Sequence, residues 1–91
     1  MPTLQTGGAS LYYESHGSGP PIVFAHGAGG NHLSWWQQVP HFRERFTCVT
    51  FDHRGFGQSL DPRPVEERPR FDEDLGALID HLGFDRVFLV A

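Results

Sequence analysis

The 91 residues carry 38% hydrophobic side chains, including eight Phe and two Trp, the make-up of one small globular domain rather than a disordered chain. A net charge of −4 and a pI near 5.8, with seven Arg and no Lys, argue against nucleic acid as the main partner. Cys48 is the only cysteine, which excludes an internal disulfide and fits a reducing compartment.

No stretch approaches the roughly 18 apolar residues of a membrane span. The first residues lack a basic start followed by an apolar run, so no signal peptide is expected. The expectation is a cytoplasmic protein with no membrane partner.

The chain begins with two short alternating runs, residues 3–6 and 9–15. Gly7-Gly8 between them suits a hairpin turn, because glycine accepts the positive φ that such turns need. Residues 16–21 form a Gly/Pro-rich loop that leads into an apolar strand over 22–25. That strand ends abruptly in Gly27-Ala28-Gly29-Gly30. Backbone N–H groups in such a turn have no strand partner and are free to bind negative charge.

Residues 31–42 show Leu33, Trp36, Pro40 and Phe42 near helical spacing, with Asn31 or Ser34 as cap and Pro40 as the break. A strand is predicted over 46–51 and an exposed loop over 52–69. Phe71, Leu75, Leu78, Ile79 and Leu82 make an amphipathic helix over 71–82, with Asp72, Glu73 and Asp74 in its first turn. Residues 66–74 read as a solvated stretch leading into that helix. Gly83 stops the helix, and 87–90 is a fully apolar strand. Alternating strands and helices predict an α/β fold with a parallel sheet, whose ligands bind at the C-terminal strand ends.

Three landmarks carry a family resemblance. They are His26-Gly27-Ala28-Gly29-Gly30 followed by Trp36, then Asp52-His53-Arg54-Gly55-Phe56-Gly57-Gln58-Ser59, and the closing strand Val87-Phe88-Leu89-Val90-Ala91. Together they resemble the N-terminal part of an α/β-hydrolase, in the group of small esterases, lactonases, cofactor-free haloperoxidases and epoxide hydrolases. The second landmark is similar to that family's D-x-R-G-x-G-x-S. In the family the closing strand runs into a nucleophile elbow, G-x-S-x-G, followed in the chain by an acid and a histidine. None of these three groups is found in the 91 residues. The expected unit is therefore 1–91 as a partial α/β-hydrolase domain, incomplete at its C-terminus and inactive alone.

The resemblance implies that the backbone N–H of Ala28 forms half of an oxyanion hole, with His26, Gly27 and Gly29 supporting the loop. Trp36 is a candidate for the substrate cleft, and Trp35 and Trp36 share the alternative of core packing. Haloalkane dehalogenases and epoxide hydrolases usually carry Pro at the position of Gly29 and use an Asp nucleophile. Gly29 favours a serine enzyme acting on esters, lactones or related acyl compounds. The alternatives are an epoxide hydrolase or dehalogenase, and a non-catalytic binding protein on the same fold.

His26 precedes any nucleophile in the chain and reads as structural, not as the base. Ser59 follows a loop and lacks the closing glycine of an elbow. Asp52 and Arg54 read as organisers of their turn, and His32 and His53 as loop residues. The histidines show no zinc-like spacing, so no metal is expected. Position 32 is His where a dinucleotide fingerprint needs Gly, and no cofactor is implied. The expected ligand is a small-molecule substrate.

Overall fold

The computed structural model describes residues 2–27, 30–63 and 71–91. Ala28, Gly29 and the mixed-charge run at 64–70 lie outside the described residues. The strands are β1 (Thr3–Thr6), β2 (Ala9–Gly17), β3 (Pro21–Ala25), β4 (Thr47–Phe51) and β5 (Phe88–Val90). A single 3-10 turn (His32–Trp35) and α1 (Gln38–Phe42) connect β3 to β4, and α2 (Phe71–Leu82) precedes β5.

The sheet order is β1-β2-β4-β3-β5. β1 and β2 form the expected hairpin, with Thr6 opposite Ala9 and both turn glycines at positive φ. β2 runs antiparallel to β4, whereas β3 runs parallel to both β4 and β5. Ala25 pairs with Phe51, and Phe24 with Val90, so the three parallel strands end level with one another.

The path from β3 to β4 steps one way across the sheet. The path from β4 to β5 crosses back over β3. Right-handed crossovers then place the two helical layers on opposite faces. The packing follows this rule with the period of two that strands impose. Val23, Ala25, Val49 and Phe51 face Leu78 of α2, supported by Leu75, Ile79 and Leu82. Ile22, Phe24 and Cys48 face the other way, toward Trp35, Val39 and Phe42. Cys48 is wholly buried there, and burial pushes its thiol pKa up.

Several local expectations are corrected. β2 continues through His16 to Gly17, where the backbone has φ +87° and an added Cβ would sit 2.2 Å from the Arg43 carbonyl oxygen. Segment 31–42 is not one helix broken at Pro40. Asn31 caps the 3-10 turn through a reciprocal box with Ser34, and the chain re-enters helix at Gln38. Pro40 therefore lies in the first turn of α1, where no intrahelical N–H is needed. Trp35, not Trp36, joins the core, with its ring 5.2 Å from Phe24. Leu33 and Trp36 are exposed.

α2 matches its predicted bounds, and its end is a Schellman motif. Gly83 N–H donates to the Asp80 carbonyl and Phe84 N–H to the Ile79 carbonyl, with Gly83 at φ +76°. Its start is not wholly solvated, because Asp74 is buried. The described part of the loop after β4 is exposed at Gly55, Gly57, Gln58, Leu60 and Pro62 as expected, but Asp52, Arg54, Ser59 and Asp61 are buried. β5 is apolar as predicted yet exposed, because no described element covers its outer edge. No helix among the described residues is long and apolar enough to cross a membrane.

Candidate active site

β3 and β4 release the chain side by side, and the first residues beyond them are His26 and Asp52. His26 is buried and joined to His53 by two hydrogen bonds, both donated by His53. The backbone N–H of His53 donates to His26 Nε2 at 2.9 Å. His53 Nε2 donates to the His26 carbonyl at 3.0 Å. Since Nε2 of His26 accepts, its ring proton lies on Nδ1, which donates to the Gly27 carbonyl at 2.7 Å. Gly30 N–H reaches that same carbonyl at 3.0 Å and closes the turn.

Phe71 stacks on His53 with ring centres 4.4 Å apart, and Phe51 meets it edge-on. Burial, with His26 next in effect, holds the His53 pKa below the ordinary histidine value. Its Nδ1 is buried without a hydrogen-bond partner among the described residues.

This pKa shift carries a stability prediction. Between the lowered folded pKa and the ordinary value near 6.5, the unfolded chain binds a proton that the fold refuses. Stability should therefore fall as pH drops below about 6.5. Glu14 and Asp61, whose pKa values are also lowered, contribute losses only in the carboxylate range. Thermal melts at pH 7.5 and 5.5 check this. The fall between them should shrink in His53→Gln, and an equal fall in both proteins would reject His53 as its source.

Asp52 organises the next turn. Its Oδ1 accepts from the His32 backbone N–H and from His32 Nδ1, and its Oδ2 accepts from Gln58 N–H. Gly57 must be glycine here, because it has φ +50° and a Cβ would lie 2.4 Å from Asp52 Oδ2. Ser59 Oγ donates to the Asp52 carbonyl at 2.6 Å and accepts from Tyr12 N–H at 2.8 Å. Its proton is committed to a backbone carbonyl, so Ser59 acts as a structural tie.

Arg54 spends all five N–H donors on acceptors within the fold. Nε and Nη2 grip both oxygens of Asp74, Nη1 meets Asp61 and the Gly7 carbonyl, and Nη2 also reaches the Thr6 carbonyl. These bonds join the hairpin turn, the loop after β4 and the start of α2. On the other side of Asp52, Glu14 accepts from Tyr12 Oη and contacts His16. The bond from Tyr12 lowers the Glu14 pKa and pushes that of Tyr12 up to about 12.

The predicted site residues thus separate. His26 and Gly27 line a cavity of about 310 Å³ with His53, Phe71, Leu75 and Ala91, at the C-terminal ends of β3 and β5. Trp36 lines a different one, of about 190 Å³, with Glu14, His32 and Arg43. Ala28 and Gly29, expected in the oxyanion loop, lie outside the described residues. Among the described residues a side chain at Gly27 would meet nothing within 4 Å. At Gly30 a Cβ would sit 2.6 Å from Ser34 Oγ and would displace the hydroxyl that accepts from the Asn31 N–H. Sequence reasoning missed Gly30, His53 and Asp74. Among the described residues no cluster of His, Cys, Asp and Glu could hold a metal ion.

A profile of the alpha/beta hydrolase fold matches residues 20–91. The chain is 35% identical over 88 residues to a protein of Azorhizobium caulinodans that carries the provisional name carbamate hydrolase RutD, covering 93% of this chain and 32% of that one. It is 32% identical over 83 residues to a soluble epoxide hydrolase of a Corynebacterium species, covering 91% and 29%. A variant of the Vigna radiata epoxide hydrolase superposes with a TM-score of 0.88 at 32% identity, over 97% of this chain and 29% of that one. The chain belongs to the α/β-hydrolase family. It spans about a third of the length of these relatives.

Proposed function

We propose that the protein carrying this chain is a hydrolase of ester, lactone or similar acyl substrates. The proposed chemistry is attack by a serine outside the 91 residues. A histidine takes the serine proton, a carboxylate orients that histidine, and the carbonyl oxygen gains negative charge. The Ala28 N–H is one of two donors that hold this oxyanion. His26 and Gly27 steer the chain toward it. The 91 residues alone are inactive on this reading, for want of a nucleophile.

The observation that carries the proposal is Gly29, in the position where the aspartate-nucleophile relatives usually hold proline. The hydrogen bond from the Gly30 N–H to the Gly27 carbonyl supports a tight backbone path after β3. A second reading is epoxide opening by an Asp nucleophile. The names of the Corynebacterium and Vigna relatives favour it.

A fluorophosphonate probe and paired substrates separate the readings in the whole protein. Stoichiometric labelling of one serine, with turnover of a p-nitrophenyl ester, is the expected result. Opening of styrene oxide without labelling would replace it with the second reading. Neither activity would point to a non-catalytic binder.

A further inference from the structure

We infer that His53 is a positioning residue, which sets the turn after β3 through its double hydrogen bond with His26. This rests on the proposed oxyanion role of that turn.

The geometry forms a relay of donors. His53 N–H fixes the acceptor edge of the His26 ring. That forces the ring proton onto Nδ1, which holds the Gly27 carbonyl. The same carbonyl accepts Gly30 N–H. His53 Nε2–H meanwhile holds the His26 carbonyl, so both polar ends of residue 26 are tied to residue 53. The direction in which the chain leaves β3 is therefore set from β4.

Stability alone does not account for a histidine here. The site is aromatic, formed by Phe51 and Phe71 with the edge of His26. A phenyl or alkyl side chain would satisfy such walls. The imidazole instead leaves Nδ1 buried without a partner among the described residues. Burial and the His26 ring disfavour its charged form, against the weaker pull of the His26 carbonyl, Asp74 and Asp52. What the ring supplies in return is one donor, Nε2–H, aimed at the His26 carbonyl.

The test uses the whole protein and three variants, each checked for folding by circular dichroism. His53→Leu removes the donor. His53→Gln keeps one, because the glutamine amide reaches about as far as Nε2. Ala28→Pro reports on the oxyanion reading itself. For a p-nitrophenyl ester, His53→Leu should lower kcat by about 10- to 100-fold with little change in KM, the scale expected when catalytic donors are misplaced by about an ångström. His53→Gln should recover most of that loss. Wild-type kcat in a folded His53→Leu, beside a crippled Ala28→Pro, would overturn the role of His53 and leave the oxyanion reading standing. A harmless Ala28→Pro would overturn the oxyanion reading first. Should His53→Leu fail to fold, the Gln variant and nitrogen NMR of the wild type decide. The expected tautomers are Nδ1–H at His26 and Nε2–H at His53. An Nε2–H proton on His26 would break the relay and the inference with it.

Discussion

Arg54→Met is expected to destabilise the fold by about 3–5 kcal/mol, the usual cost of removing one partner from a buried ion pair. Arg54 is 1% exposed and every one of its guanidinium N–H groups is used. Asp74, equally buried, loses both its fork partners in this variant. The Thr6 and Gly7 carbonyls lose donors as well, and the hairpin turn loses a tie to α2. Arg54→Lys should recover little, because an ammonium cannot present the planar fork that meets both Asp74 oxygens. The double variant Arg54→Met/Asp74→Leu should be less damaged than Arg54→Met alone, since it leaves no unpaired carboxylate at residue 74. Urea midpoints of the whole protein check the series. A midpoint for Arg54→Met within about 0.5 kcal/mol of wild type, the range of an ordinary surface change, would sink the argument.

Ala28→Pro should lower kcat for an acyl substrate by about 10²–10³, the typical cost of one lost oxyanion donor. Proline removes the N–H while leaving the carbonyl in place. Its ring also restricts Gly27, which tolerates most backbone conformations. Ala28→Ser keeps the donor and should fall far less, so the pair separates a lost proton from a changed side chain. An oxyanion donor acts on the transition state, and KM should therefore move little. Steady-state kinetics on both variants give the answer, and a folded Ala28→Pro with unchanged kcat would refute the assignment.

Much of the architecture was legible because it is written locally. Residues 22–25 are apolar and bounded by Pro and Gly, and α2 repeats its apolar residues at helical spacing up to Gly83. The register of 31–36 was not legible. A 3-10 turn advances each residue by about 120° rather than 100°, which rotates Trp35 inward and leaves Leu33 and Trp36 outside. Asp74 carried a signal that went unread. It lies four residues before Leu78 and so shares the buried stripe, although its charge suggested solvent. What neutralises it is Arg54, twenty residues earlier and in a loop, and no local pattern announces such a pairing. The roles of His26 and Gly27 came from resemblance alone. The bond partners of His53 depend on β3 and β4 ending level, which only the pairing of the strands reveals.

Cys48 turns the centre of this sheet into a chemical reporter. It is the one thiol in the 91 residues, it has no exposed surface, and its β-strand neighbours lie on both sides. An alkylating reagent can reach it only when β4 parts from the layer of Trp35, Val39 and Phe42. The ratio of its labelling rate to that of an unstructured thiol therefore measures how often the middle of the sheet opens, on whichever reading of the chemistry at its rim prevails.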